Sequence, residues 1–121
     1  MTELKIDPLR PVEIEIRAES PAVFRFTAQY RAPGHDYVDF ASAKDSAHVS
    51  KSTYIIELAP PIQPYTDLKI VFLIDGPSRH PYRIRVQCSQ DGRPLGGPIV
   101  RLGVIGADGK IAFAIAEATF I

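Results

Sequence analysis

Val12-Glu13-Ile14-Glu15-Ile16-Arg17-Ala18 puts an apolar residue at every second position and a charge between each pair. Successive side chains of an extended backbone point to opposite sides, so this rhythm predicts a strand with one dry face and one wet face. Two other stretches repeat it. Phe24, Phe26, Ala28 and Tyr30 oppose Val23, Arg25, Thr27 and Gln29, while Tyr82, Ile84, Val86 and Cys88 oppose Arg83, Arg85, Gln87 and Ser89. Sheets wet on one face are usually antiparallel. Further strands are expected at 5–6, 53–58, 68–74, 99–105 and 111–120.

The punctuation between these stretches supports the same fold class. Eleven prolines and eight glycines are spread over 121 residues, which leaves very little uninterrupted chain for a helix of ordinary length. Asp91-Gly92 and Asp108-Gly109 sit between apolar runs as turn formers, and Asp75-Gly76-Pro77 closes the strongest apolar run. From Tyr82 onward the chain therefore reads as two successive hairpins, a three-stranded meander. The stretch from Ala32 to Lys51 is polar and reads as a loop, with at most one short helix near 39–48 behind Asp39 as cap and with Phe40, Ala43 and Ala47 on one face. The expectation is a single all-β domain over 1–121, an antiparallel two-sheet sandwich. An immunoglobulin-like order is the first choice, and a jelly roll or small barrel is the alternative.

Composition narrows the function classes. With 45% hydrophobic and 23% charged residues the chain is globular in character. Fourteen basic and fourteen acidic side chains give a formal net charge of zero, against the large positive excess that coating nucleic acid requires. Nucleic acid is an unexpected partner on that ground. No apolar run reaches the ~18 residues of a spanning helix, so no membrane partner is expected either. The N-terminus lacks a basic-then-apolar order, and Cys88 is the only cysteine. A cytoplasmic setting is the expectation.

Chemistry-bearing residues are few. His35, Asp39 and His48, with His80 further on, are weak metal-ligand candidates, since four extended residues span about 13 Å, too far for one ion without a bend. Cys88 sits in the core-facing register of its strand, where a thiol is inert. No Gly-x-Ser-x-Gly elbow or phosphate-cradling glycine loop occurs. No catalytic residue and no cofactor are assigned, and a non-catalytic binding or assembly module is the leading expectation; a ligand-binding or metal-dependent barrel with a His/Asp site is the alternative.

Three surfaces suit binding. Arg83, Arg85 and Arg101 fall in a span where Asp91 is the only acid, a candidate site for an anionic ligand. The segments 32–51 and 59–66 present Tyr37 and Tyr65 as recognition residues for a protein partner. In the last strand Ile111, Phe113 and Ile115 read as the core face, leaving Ala112, Ala114 and Ala116 outside, where small side chains would let a second copy approach closely. A homo-oligomer is expected on that reading.

Overall fold

A computed structural model of the chain describes residues 2–19, 23–43, 47–50, 53–77, 79–106 and 112–121. Among the described residues, eleven strands run in the order β1 (Thr2–Leu4), β2 (Val12–Glu19), β3 (Val23–Arg31), β4 (Val38–Ser42), β5 (Ala47–Ser50), β6 (Thr53–Leu58), β7 (Thr66–Asp75), β8 (Pro81–Gln90), β9 (Arg93–Pro94), β10 (Ile99–Val104) and β11 (Ala112–Phe120). One sheet, A, has the order β1-β11-β7-β3-β4; the other, B, has the order β10-β8-β2-β6-β5, with β9 added beside β8. The two sheets pack face to face as a sandwich. Among the described residues neither sheet closes on itself or on the other, so the small-barrel alternative is set aside.

The two-residue rhythm is realised as read. Val12, Ile14, Ile16 and Ala18 are buried on β2, and Ile84, Val86 and Cys88 on β8, facing Phe26 and Ala28 of β3 and Leu68, Ile70, Phe72 and Ile74 of β7. The strand β7 lies in the middle of sheet A, between β11 and β3. Gln90 closes one end of the core. Its side chain is buried, accepts a hydrogen bond from the Asp7 amide at 2.8 Å, and donates to the carbonyls of Asp7 and Arg10 at 2.9 and 3.1 Å. One amide side chain thus satisfies three backbone groups of the segment entering β2.

Four expectations change. The polar stretch after Ala32 holds two short strands: Val38–Ser42 pairs with β3 and Ala47–Ser50 with β6, and no helix occurs among the described residues near 39–48. Pairing with a neighbouring edge supplies these short segments with the backbone partners a lone helix turn would have had to find internally. The first strand covers Thr2–Leu4 rather than 5–6, and pairs in parallel with Ala118–Phe120.

The expected meander also fails. β8 and β10 form the first hairpin, from Ile99↔Val86 to Val104↔Pro81, but β11 leaves sheet B and pairs with β7 in sheet A. Asp108-Gly109 lies outside the described residues. Finally, the faces of β11 are inverted. Ala114, Ala116 and Ala118 are in the core, at 7%, 1% and 0% exposure, while Phe113 and Ile115 face outward at 69% and 43%. Each core alanine sits beside a large residue of β7, in the pairs Ala114↔Phe72, Ala116↔Ile70 and Ala118↔Leu68. Small side chains do permit close approach of another layer; here that layer is sheet B, whose edge strand β10 comes into contact with β11.

Candidate functional site

Along its length the outer face of sheet A changes character. Toward the start of β7 it is a charged network. Arg31 donates from Nη2 and Nε to Asp67 Oδ2 at 2.7 and 3.2 Å, and Thr119 Oγ1 donates to Asp67 Oδ1 at 2.7 Å. The Tyr37 ring lies under Arg31 at 4.5 Å and under Lys69 at 5.0 Å. Tyr37 is therefore half-buried in this network rather than free on a loop.

These contacts hold the Asp67 carboxyl below its ordinary range, chiefly through the hydrogen bonds from Arg31 and Thr119. Because the folded value is depressed, this contribution to stability is complete above the unfolded carboxylate pKa of about 4 and is lost as pH falls through the lower folded value. The urea midpoint of the wild type is accordingly expected to fall more steeply below pH 4 than that of Asp67→Asn. Parallel acid slopes in the two proteins would remove the network from the account of stability.

Toward the end of β7 the same face is apolar. Register aligns Phe113 with Leu73 and Arg25, and Ile115 with Val71 and Thr27. Phe113 and Ile115 are exposed, Val71 and Leu73 half-exposed, and Arg25 stands at the margin. Strand β1 covers β11 only at Ala118–Phe120, so this part of β11 has no strand on its outer side among the described residues. Arg101 partly protects that edge. Its Nε donates to the Ile115 carbonyl at 2.8 Å and its Nη1 to the Val100 carbonyl at 3.0 Å.

That position of Arg101 dissolves the expected arginine trio. On β10, Val100 lies opposite Arg85 and Leu102 opposite Arg83, so Arg101, one residue out of phase, points away from the face that Arg83 and Arg85 share. Arg83 contacts Glu19 at 3.7 Å, and Arg85 lies opposite Arg17, itself paired with Glu15 at 3.3 Å. The guanidinium groups belong to a mixed-charge sheet face and an edge contact, which are two separate places.

A concavity opens where the sheets part, between the end of β3, strand β4, the end of β6 and the segment 59–66. It is a cleft of about 420 Å3 whose lining includes Tyr30, Phe40, Leu58, Ile62, Glu57 and Gln63. The Tyr30 and Phe40 rings meet edge-on, with centroids 5.8 Å apart at 63°. Both segments expected to recognise a partner border this cleft. Tyr65 itself is 68% exposed with a left-handed φ of 68°, its amide donating to the Phe120 carbonyl.

The metal candidates are dispersed. His35 is exposed in the turn after β3, Asp39 on β4 accepts from Gln29 Nε2 at 2.7 Å, and His80 is exposed before β8. His48 belongs to β5 in the other sheet, and its side chain lies outside the described residues. No group of three His, Cys, Asp or Glu gathers among the described residues. Burial pushes the Cys88 thiol up to about 12, which leaves almost no thiolate at neutral pH. Native protein at pH 8 is expected to resist a thiol reagent for hours and to expose one thiol per chain in urea; stoichiometric labelling within minutes of mixing would contradict the burial.

Sequence reasoning missed Phe113, Ile115, Val71 and Leu73 as a surface, and Tyr30, Phe40 and Glu57 as a cleft. The first set was legible in part, because a strand with alanine on one face and Phe and Ile on the other must bury one set, and a narrow edge of the core favours the smaller. The second set depends on two segments meeting in space. No protein-family model matches the chain, and no curated protein or solved structure is significantly similar to it.

Proposed function

We propose that this protein is a non-catalytic binding and assembly module that associates with a second copy of itself through the apolar end of the outer face of sheet A. The observation that carries this reading is the outward orientation of Phe113 and Ile115 beside the half-exposed Val71 and Leu73. Apolar area of this kind gains about 25 cal/mol per Å2 when covered, so a continuous group of four such side chains favours contact over solvent. Zero formal net charge means two copies meet without long-range repulsion. The charged half of the face, with Arg31, Lys69, Asp67 and Glu117, would form a polar margin to the apolar half, the arrangement common to protein interfaces.

The strand order supports an immunoglobulin-like reading of the sandwich. β2, β6 and β5 stand in the relation of strands B, E and D, and β4, β3 and β7 in that of C′, C and F. β11 then takes the place of G, and β8 the place beside B. In such sandwiches the outer faces and end loops are the usual contact surfaces, which agrees with a binding role.

Nuclear magnetic resonance at increasing protein concentration tests the association. Amide signals of Val71, Leu73, Phe113 and Ile115, and the methyl signals of the three aliphatic residues, are expected to shift with concentration while the amide signals of Arg83 and Arg85 stay still. Spectra independent of concentration up to the millimolar range would overturn the reading.

A further inference from the structure

A second group of outward aliphatic side chains stands on sheet B, away from the self-association face. Leu102 and Val104 on β10 are exposed, and the half-exposed Val100 continues their row. Register sets Val100 beside Arg85 and Leu102 beside Arg83, so on this outer face an apolar row runs directly alongside a guanidinium row.

The charges next to the apolar row are unbalanced. Arg85 faces Arg17 on β2, while Arg83 faces Glu19. Glu19 lies 3.7 Å from Arg83 and Glu15 lies 3.3 Å from Arg17, which leaves Arg85 with no carboxylate in ion-pair reach among the described residues. Like charges set directly opposite each other across a strand pair are destabilising. A carboxylate arriving over the β8 row relieves that repulsion, and the planar guanidinium fork binds it at two points.

Spacing and sign together select the occupant. Arg83 and Arg85 stand two strand residues apart, as do Val100, Leu102 and Val104, an interval of about 6.6 Å. Side chains four residues apart on a helix repeat at nearly the same interval, about 6 Å along its axis. One helix laid along β10 can therefore seat an apolar stripe on the aliphatic row and a neighbouring stripe of carboxylates on the arginines. A membrane surface or a nucleic acid presents negative charge throughout, and Glu15 and Glu19 on the adjoining β2 row oppose that. A helix confines its carboxylates to one stripe.

We propose that the β10–β8 part of the outer face of sheet B docks an acidic amphipathic helix of a protein partner, with its apolar stripe on Val100, Leu102 and Val104 and its carboxylates on Arg83 and Arg85. This deepens the binding-module reading and is independent of self-association, which uses sheet A.

The test is a titration of the full chain with a blocked peptide of Glu-Leu-Ala-Ala repeated four times, read at the Val100, Leu102 and Val104 methyl signals. Saturable shifts are expected, with affinity weakened about fivefold by Arg85→Gln and weakened also by Leu102→Ser. The counterpart peptide with glutamine for glutamate is expected to bind at least tenfold more weakly. Equal binding of that counterpart, or no effect of Arg85→Gln, overturns the carboxylate assignment; no effect of Leu102→Ser overturns the apolar row. Tighter binding to phosphatidylserine vesicles than to the peptide replaces the helix with a membrane, and Leu102 shifts on raising protein concentration alone replace it with a second copy. Either result overturns the proposal, as does a lack of saturation up to millimolar peptide. Concentration-dependent shifts at Phe113 read the self-association separately, so either proposal can fail alone.

Discussion

Replacing Phe72 with alanine is expected to lower the free energy of unfolding by about 3–5 kcal/mol. Phe72 is fully buried on β7, the middle strand of sheet A, and its ring meets Phe26 at 6.2 Å. Across the strand pair its neighbour is Ala114, which has no side chain long enough to fill the space left behind. Phe26, in turn, packs edge-on to Tyr54 at 5.5 Å and 76°, so the loss reaches sheet B. Domains of this size are stable by only about 5–15 kcal/mol, and the variant is therefore expected to be partly unfolded at 37 °C. Phe72→Leu keeps most of the volume and should cost less than half as much. Urea unfolding monitored by far-ultraviolet circular dichroism gives both values. A loss under about 1 kcal/mol for Phe72→Ala would mean that the two sheets do not meet at this ring.

Phe113→Glu has the opposite profile. Phe113 is 69% exposed and makes no contribution to the core, so the urea midpoint should stay within the small range of surface substitutions. Self-association should weaken strongly. Truncating an aromatic anchor at the centre of an interface typically costs about 2 kcal/mol or more, roughly thirtyfold in dissociation constant, and a buried carboxylate adds to that. The informative comparison is Leu102→Glu. Leu102 is as exposed, at 71%, but stands on the outer face of sheet B, and its replacement is expected to leave association unchanged. If both variants dissociate the protein equally, contact is general hydrophobic adhesion and not the face described.

The sandwich was legible in the sequence wherever one face of a strand is charged. Glu13, Glu15 and Arg17 leave Val12, Ile14 and Ile16 only one direction to point, and Arg83 and Arg85 do the same for Ile84 and Val86. Where both faces are apolar the rhythm carries no direction, and for that reason it does not tell which face of β11 is buried. Its alanines are in the core because Leu68, Ile70 and Phe72 already fill the adjoining positions of β7 and because β10 closes in at that edge. The polar segment after Ala32 hides its strands for a different cause. Strands such as Val38–Ser42 owe their conformation to pairing with β3, a long-range contact that leaves little trace in local composition. Partnership between sheets was hidden in the same way: nothing local separates β10, which stays beside β8, from β11, which crosses to β7.

Of the candidate residues, the arginines illustrate the limit of parity. Parity alone puts Arg83 and Arg85 on one face, but the side of Arg101 depends on the register of β10 against β8, which sets it opposite Ile84. The cleft is a product of topology alone, since Tyr30, Phe40 and Glu57 come from three strands in two sheets.

Sedimentation equilibrium of the wild-type protein from about 1 to 500 μM measures whether the outward Phe113 and Ile115 find a partner. The weight-average mass is expected to climb with concentration from the 13.4 kDa of one chain toward twice that value, and to do so with Leu102→Glu but not with Phe113→Glu. A mass fixed at that of one chain throughout the range would contradict assembly through sheet A.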